Sequence, residues 1–481
     1  MPLILPGNVA SATADAGYTV ANSCRFDKGD TAYMHKTTSG GNRKTWTFST
    51  WIKRISLGTQ VTFCPIQANT SNYNIMAIQF VAGNEIDIWD YNGGISAQIK
   101  TNRKFRDVGA WYHVVLAVDT TDSTANNRMR LYINGKEERG VGGYGTDTMP
   151  AEDYTFNINV ADKSLKLGVY DYGSLSSPAD SYFAETVFID GTQYAASDFG
   201  EFSEESPTIW MPKDPSELTF GTNGFYLDYE DSANLGNDAN GGTDLTEVSL
   251  AATDQMTDTP TNNYTTLNPL YAPTSNPPTY SEGNLKSVTN TTSGEYGWGG
   301  ATTIGVTSGK WYCEAKATVS GTSRSAIGVH YDPAEGARDN SYSVNEDYAW
   351  GYHSETGVLE NDNATVWDGN AYVTDDIIGI YLDLDNHKLY IAKNGTLENS
   401  GTGASLTTGK TYHFYQEDVT GGTDHSTFEF NFGAGSSWAV SSGNADANGY
   451  GNFEYDPSAG SFDSASKDFY ALNTKNLAEF G

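Results

Sequence analysis

Cysteine is scarce in this chain: Cys24, Cys64 and Cys313 are spread over 481 residues. Their spacing fits neither a disulfide framework nor a zinc site, so we expect buried, apolar thiols. No apolar run approaches the roughly 20 residues that a membrane-spanning helix needs. The first residues lack a basic leader and a long apolar core, so we expect synthesis in a cytoplasm without a signal peptide.

Basic residues are also in short supply. The 28 Lys and Arg face 60 Asp and Glu, which gives a formal net charge of −32. Such a field repels phosphate backbones and anionic lipid surfaces, so we expect no nucleic-acid partner and no membrane insertion. The carboxylates either keep the surface hydrated or collect cations, and the composition leaves both uses open.

Glycine and aromatic residues are abundant instead. The chain has 51 Gly and 31 Tyr, and aromatic residues make up 13% of it, as is typical of short strands joined by tight turns. No long stretch has the apolar period of an amphipathic helix. At 481 residues the chain exceeds one ordinary core, which predicts two domains and room for a linker.

Two segments show the same strand–turn–strand pattern. In 375–395 apolar residues alternate with polar or small ones, turn at Asp385-Asn386, and alternate again up to Asn394-Gly395. The earlier segment 111–135 follows the same plan and also ends in Asn-Gly. The sequence therefore predicts an all-β protein with two β-sandwich (jelly-roll) domains in series, joined by an extended connector.

We place the first domain at 18–212, after an N-terminal arm of residues 1–17. The strand from Trp111 to Asp119 and the Arg-Leu-Tyr-Ile-Asn-Gly segment from Arg130 to Gly135 follow each other in order. This succession resembles the laminin-G-like branch of the concanavalin A-like jelly rolls. The resemblance implies a rigid sandwich whose loops or faces bind ligands, without an obligatory cofactor.

Residues 85–90 indicate an alternative function, glycan hydrolysis. This segment is similar to the E-x-D-x-x-E signature of laminarinase-type glycosidases with this fold. That chemistry needs two carboxyl groups roughly 5–5.5 Å apart across the sugar, here Glu85 as nucleophile and Asp90 as acid. In a regular strand, however, Asp90 points away from the face that Glu85 and Asp87 share. We therefore expect no enzyme and no catalytic residues, and keep a glycan depolymerase as the alternative.

The connector, at 213–280, contains the segments Gly-Thr-Asn-Gly-Phe (221–225), Asp-Thr-Pro-Thr-Asn-Asn-Tyr (258–264) and Leu-Asn-Pro (267–269). In this order they resemble a connector in virion proteins of marine tailed bacteriophages, where it also follows a laminin-G-like domain. The Pro- and Thr-rich run 272–279 predicts an extended spacer.

A possible cation loop lies at 238–241, where Asp238 and Asn240 alternate before Gly241. An EF-hand-type loop also needs a later bidentate glutamate, which is absent at the right spacing. Turn chemistry is the other interpretation, and we expect no metal site.

The second domain, at 281–455, resembles a SPRY domain. The Gly-Lys-Trp-Tyr segment at 309–312, the Ile-Gly-Val segment at 327–329 and the hairpin 376–395 match its motifs in order. Trp311 and Trp350 lie inside strand patterns, so we expect them in the core. The C-terminal tail, 456–481, is similar to the segment that follows this domain in the phage proteins.

These resemblances imply a bacteriophage virion protein, located on the particle surface. We expect a tail fibre or receptor-binding subunit whose lectin-like sandwiches attach to host surface glycans, with a capsid fibre or decoration protein as the alternative. By analogy with phage fibres, the expected partners are other virion proteins and further copies of this chain in a homotrimer.

Sugars bind on exposed aromatic rings flanked by amide and carboxylate groups, because their C–H faces stack on rings while hydroxyls need polar partners. Two stretches, 89–92 and 361–370, have this composition, and we expect both to be loops. The predicted carbohydrate-binding residues are Trp89, Tyr91, Asn92, Asn363, Trp367 and Asp368. The other interpretation is that Trp89 and Trp367 hold their loops against the sandwich.

Overall fold

The computed structural model describes residues 17–63, 65–69, 74–171, 173–290, 297–318, 324–335, 343–418, 425–463 and 467–481. The chain divides into two compact units between Thr261 and Asn262. Nearly all regular structure is β-strand, arranged in sandwich-like sheets, which confirms the predicted all-β fold class. Of the predicted N-terminal arm, all but Gly17 lies outside the described residues.

Among its described residues the first unit has one short α-helix, α1 (Glu138–Val141), and many strands. Its strands are β1 (Ser23–Phe26), β2 (Tyr33–Thr38), β3 (Thr45–Arg54), β4 (Val61–Thr62), β5 (Pro65–Asn69), β6 (Asn74–Phe80), β7 (Ile86–Asn92), β8 (Ile95–Thr101), β9 (Trp111–Asp119), β10 (Met129–Ile133), β11 (Lys136–Glu137), β12 (Tyr144–Thr148), β13 (Lys163–Leu167), β14 (Tyr170–Asp171), β15 (Leu175–Ser176), β16 (Ser181–Asp190), β17 (Gly200–Phe202), β18 (Trp210–Pro212), β19 (Phe225–Leu227), β20 (Thr246–Val248) and β21 (Gln255–Met256).

Two large sheets build this unit, and β14 with β15 and β17 with β18 form two small two-stranded sheets. In the described residues one has the order β11-β10-β9-β3-β16-β1-β21, with β19 also on β16, and the other has the order β12-β8-β7-β6-β5-β13-β2-β20, with β4 on β6. Side chains from both sheets, among them Trp46, Ile88 and Phe183, form one buried core. The period-2 alternation of the strands explains this, because alternate side chains of a strand point to the same face.

The second unit has the helix α2 (Thr474–Phe480) near its end. Its strands are β22 (Thr279–Ser281), β23 (Lys286–Val288), β24 (Gly297–Ala301), β25 (Lys310–Thr318), β26 (Ser325–His330), β27 (Ala349–His353), β28 (Val358–Asn361), β29 (Ala364–Asp368), β30 (Ile377–Asp383), β31 (Lys388–Lys393), β32 (Thr396–Leu397), β33 (Ala404–Ser405), β34 (His413–Asp418), β35 (Thr427–Asn431) and β36 (Tyr470–Ala471).

Two sheets build the second unit as well. In the described residues they have the orders β22-β23-β35-β25-β30-β31-β32 and β24-β34-β26-β27-β28-β29, with β33 on β31 and β36 on β25. Trp311 and Trp350 are buried, which confirms their predicted place in the core. The buried Glu314 carboxylate accepts the backbone N–H groups of Glu454 at 2.9 Å and Tyr455 at 2.7 Å, and so fixes this late segment to β25.

Both Asn-Gly pairs form the tight turns that the sequence predicts. Asn134 and Gly135 have φ of 48° and 76°, and Asn394 and Gly395 have φ of 49° and 76°. Two consecutive positive φ values match the twist of a two-residue hairpin, and Asn and Gly adopt them at little cost. Each turn leads into a short paired strand, β11 after β10 and β32 after β31.

The stretch predicted as a connector is divided between the two units, since 213–261 lies in the first and 262–280 in the second. In the first unit β19, β20 and β21 pair with β16, β2 and β1. Phe225, the last residue of the 221–225 motif, therefore belongs to the sandwich itself.

Two other residues of the phage-like motifs bond to charged groups of the first unit. The Asp258 carboxylate lies 2.7 Å from Lys53 Nζ, and both side chains are only 1% exposed. The Trp111 indole donates to the same carboxylate at 3.1 Å. The backbone N–H of Asn223 donates to Asp190 Oδ2 at 3.1 Å. The motif thus has a structural role, because each buried carboxylate gains partners that compensate for its lost hydration.

Cys24 and Cys313 are buried free thiols, as predicted, whereas Cys64 lies outside the described residues. Among the described residues, no helix combines the length and the apolarity needed to cross a membrane.

Candidate functional site

Strand β7 runs through the middle of its sheet, between β6 and β8. Ile86 and Ile88 point into the core, so Asp87, Trp89 and Tyr91 project from the other side of the sheet. The register places Gln98 of β8 directly opposite Trp89. A strip of alternating polar and aromatic side chains therefore follows one strand on the outside of the sandwich.

We call Asp87, Trp89, Tyr91, Gln98 and Tyr170 the Trp89 face. Trp89 and Tyr91 are half-buried against the edge of the core. The ring centroids of Trp89 and Tyr170 are 6.3 Å apart, with the ring planes tilted by 48°. This face thus presents aromatic surface that is in part accessible to solvent.

Polar groups lie directly beside these rings. Gln98 Nε2 donates to Asp87 Oδ1 at 2.9 Å. Burial raises the pKa of Asp87, and the hydrogen bond from Gln98 partly offsets that effect. Lys100 is opposite Asp87 in the register, so an ammonium group joins the amide and the carboxylate. Rings flanked by hydrogen-bonding donors and acceptors are the surroundings that a pyranose requires.

The stretch 89–92, which the sequence predicts as a loop, is instead the end of strand β7, because it pairs with β6 and β8 on both sides. Asn92, the third residue predicted in this stretch, lies at the exposed end of the strand. Its backbone N–H donates to the Gly94 carbonyl at 2.9 Å, within the turn that leads to β8. Ile95, which is 48% exposed, pairs with Tyr91 just beyond this turn. The structure therefore brings Trp89 and Tyr91 together on one face and leaves Asn92 at its rim.

The two carboxylates of the glycosidase alternative lie on opposite sides of the sheet. Asp90 is completely buried, and its carboxylate accepts hydrogen bonds from the Tyr154 hydroxyl at 2.5 Å and from the Asn157 N–H at 2.9 Å. Glu85 forms an ion pair with Lys104 at 3.4 Å. Burial raises the pKa of Asp90 to about 6. Asp90 therefore anchors the 154–157 segment and does not face a sugar shared with Glu85.

The residues predicted in the second unit lie on the hairpin of β28 and β29. Asn363 at its tip and Asp368 at its end are exposed, and Asn363 has a φ of 54°. Trp367 is only 9% exposed, and its ring centroid is 5.7 Å from that of Tyr352. The structure therefore turns the indole toward the sandwich, away from the polar side chains of the same hairpin.

The possible cation loop at 238–241 is occupied by turn hydrogen bonds. Asp238 Oδ1 accepts the N–H groups of Tyr226 at 2.9 Å and of Asn240 at 3.2 Å. Asp244 Oδ1 in turn accepts the Asp238 N–H at 3.0 Å. Within the described parts of the chain, no group of three or more His, Cys, Asp or Glu side chains is placed to hold a metal ion.

The sequence did not reveal a polar cluster on the other sheet, around His113. The His113 ring is stacked between Trp51, at 4.7 Å, and Trp210, at 6.0 Å. The Trp210 indole donates to His113 Nδ1 at 2.9 Å, so the proton of the neutral ring is on Nε2, which lies 2.9 Å from Ser49 Oγ. Burial lowers the pKa of His113 to about 3.

The tautomer of His113 determines whether this residue can activate Ser49 as a nucleophile. A histidine that activates a serine must accept the hydroxyl proton at the facing nitrogen. The facing nitrogen here already carries a proton, so His113 and Ser49 form a structural pair and not a nucleophile with its base. No local motif signals the cluster, because Trp210 is 97 residues from His113 in the chain.

A family model supports the fold of the first unit. Residues 27–166 match the family model of the concanavalin A-like lectin/glucanases superfamily. The SPRY domain of human HERC1 is similar with a TM-score of 0.27 and 16% identity, over 32% of this chain and 91% of that chain. The native heptameric SAP-like pentraxin of Limulus polyphemus has a TM-score of 0.28 and 13% identity, over 37% and 80%. No curated protein matches the chain.

Proposed function

We propose that the first unit is a non-catalytic glycan-binding module and that its binding surface is the Trp89 face. The observation that carries this proposal is the placement of Trp89 and Tyr91 on one side of a central strand, beside Asp87 and Gln98. The C–H face of a pyranose packs on such rings, while its hydroxyls bond to the carboxylate and the amide.

Charge supports a carbohydrate ligand over other polymers. With a net charge of −32 the chain repels nucleic acids and anionic membranes. Neutral glycans are insensitive to this field, because their recognition depends on short-range stacking and hydrogen bonds. The match of 27–166 to a lectin and glucanase superfamily is consistent with such a ligand.

The positions of the carboxylates support binding without cleavage. Glu85 pairs with Lys104, and Asp90 is buried on the opposite side of the sheet. Retaining hydrolysis needs a nucleophile and an acid that reach the same glycosidic bond. The proposed module therefore holds its glycan intact, and incubation with laminarin is expected to release no reducing ends.

Glycan-array binding by the wild-type protein and by Trp89→Ala tests the module. Removal of the indole is expected to weaken binding at least about tenfold, because a sugar loses its largest stacking surface. Trp89→Phe keeps a ring at this position and is the matched control, with most of the affinity retained. Equal binding by all three proteins would contradict the Trp89 face as the site.

As the biological context we propose a bacteriophage virion subunit, with tail fibre or receptor-binding protein as first choice and capsid fibre or decoration protein as second. The support is the resemblance of the 221–269 motifs to the connector of marine phage virion proteins. Mass spectrometry and immunogold labelling of purified particles test this context. Absence of the chain from particles would refute it without affecting the glycan-binding proposal.

A further inference from the structure

A pocket of about 410 Å³ opens on the first unit, away from the Trp89 face. Its floor includes Tyr132 of β10, whose neighbours Leu131 and Ile133 point into the core, so Tyr132 projects from the outer side of the other sheet. The segment 195–213 forms the remaining walls. The pocket and the Trp89 face thus lie on opposite outer surfaces of one sandwich.

The aromatic wall of this pocket is rigidly held. The Trp210 ring packs against Gly135 and Gly200, where an added Cβ would lie 2.2 Å and 2.6 Å from ring carbons. Phe202 contacts the same indole edge-on, with ring centroids 4.8 Å apart. His113 holds the indole N–H at 2.9 Å. A ring restrained on several sides loses little freedom when a ligand binds against it.

Polar groups of both signs border this wall. Lys213 Nζ donates to the Ser197 carbonyl at 3.2 Å and has two further N–H groups. Glu201 is exposed, lines the pocket and carries acceptor oxygens, and Lys136 Nζ lies 5.7 Å from the centre of the Phe202 ring. A ligand in this pocket therefore meets aromatic carbon, a hydrogen-bond donor and a hydrogen-bond acceptor.

We propose that this pocket is a second saccharide site, which takes one neutral sugar residue. Its volume lies within the range of small-molecule sites, about 300–1,000 Å³. The presence of both an ammonium and a carboxylate disfavours a ligand with net charge, because either sign would face a like charge. Hydroxyl groups, by contrast, donate to Glu201 and accept from Lys213, while the sugar C–H face lies on Phe202 and Trp210.

Fluorine NMR of the full chain labelled with 5-fluorotryptophan tests the site, because each of the ten tryptophans gives its own resonance. Trp210→Phe and Trp89→Phe assign the two relevant signals. The probes are the methyl pyranosides of glucose, galactose, mannose and N-acetylglucosamine at millimolar concentrations. We expect at least one of them to shift the Trp210 resonance in a saturable manner.

Two variants probe the pocket without disturbing the core. Ala195→Phe fills the exposed mouth and is expected to abolish the shift, and Glu201→Gln is expected to weaken binding about tenfold, the loss of one hydrogen bond to a charged group. The nearby exposed Glu204→Gln is the matched control and keeps wild-type affinity. Unchanged signals from the other tryptophans report that each variant is folded.

The outcomes separate this site from the Trp89 face. A Trp210 signal that no probe moves overturns the second site, even if the Trp89 signal shifts. A Trp210 shift that persists in Ala195→Phe and Glu201→Gln also overturns it, because the sugar then binds elsewhere. A shift confined to Trp210 supports the pocket and counts against the Trp89 face.

Discussion

Individual buried charges in this protein are compensated by specific partners. Lys53 and Asp258 are each 1% exposed and 2.7 Å apart, and Trp111 adds a hydrogen bond to the carboxylate. The exposed pair of Lys44 and Asp153, at 2.9 Å, is hydrated and screened. Similar distances in the two pairs therefore do not imply equal contributions to stability.

Asp258→Asn tests this difference. The change removes the Asp258 charge that lies beside the buried Lys53 ammonium, so we expect the free energy of unfolding to fall by about 3–5 kcal/mol. Asp153→Asn removes the exposed pair and is expected to cost less than about 1 kcal/mol. Urea denaturation of both variants measures the contrast, and similar losses would show that burial of the pair is unimportant.

Glu185 couples stability to pH. This residue is 5% exposed, and its carboxyl group accepts the Tyr226 hydroxyl at 2.7 Å. Burial raises its pKa from 4.5 to about 8. The folded chain therefore keeps a proton that the unfolded chain releases between these pH values, and stability from this group falls as pH rises through that window.

Glu185→Gln is expected to flatten this dependence. The wild-type free energy of unfolding, relative to that of the variant, should decline by up to about 1.4 kcal/mol per pH unit between about 4.5 and 8. Urea denaturation across this range measures the difference between the two proteins. A difference that stays constant with pH would show that Glu185 does not titrate in this window.

At the scale of single elements, the Asn-Gly hairpins link local sequence to distant packing. Gly135 supports the indole of Trp210, and an added Cβ at Gly395 would lie 2.5 Å from the ring of Tyr455. In both units the turn supports an aromatic ring that arrives later in the chain. Glycine is needed there for its positive φ and also for the space above it.

Gly135→Ala and Gly93→Ala separate these two requirements. Gly93 has a φ of 71° with no atom within 4 Å of an added Cβ, so its substitution should cost only backbone strain, about 1–2 kcal/mol. Gly135→Ala adds a clash with Trp210, so we expect a clearly larger loss. Chemical denaturation compares the two variants, and equal losses would mean that the indole moves aside freely.

Local patterns predicted the strands, and long-range packing decided the sites. Period-2 alternation alone placed Asp87 and Trp89 on one face of β7 and Asp90 on the other, but it did not extend the strand to Tyr91 and Asn92. It could not show that Trp367 turns inward, because a short edge hairpin has no buried face defined by its own sequence. The sequence also could not predict the pocket beside Trp210. Its aromatic residues Tyr132, Phe202 and Trp210 come together only through tertiary packing.

At the scale of the whole molecule, the net negative charge opposes self-association, and aromatic side chains are the contacts that we expect to overcome it. Copies with a charge of −32 each repel one another, so assembly needs interfaces that outweigh this repulsion. We expect a homotrimer, as in phage fibres, with aromatic side chains in the contacts. Sedimentation velocity at micromolar concentration and moderate salt measures the stoichiometry, and a species of one chain would contradict the expectation.

The two ends of the first unit meet. Strand β1 pairs with β21, so Ser23 lies opposite Met256, and the Val20 N–H donates to Thr261 Oγ1 at 3.1 Å. During synthesis this sheet edge stays open until the segment around Thr261 has left the ribosome, and the nascent chain must be protected until then. Once closed, the module has adjacent entry and exit points, so a gene fusion can insert it into a surface loop of an unrelated protein without forcing that loop apart.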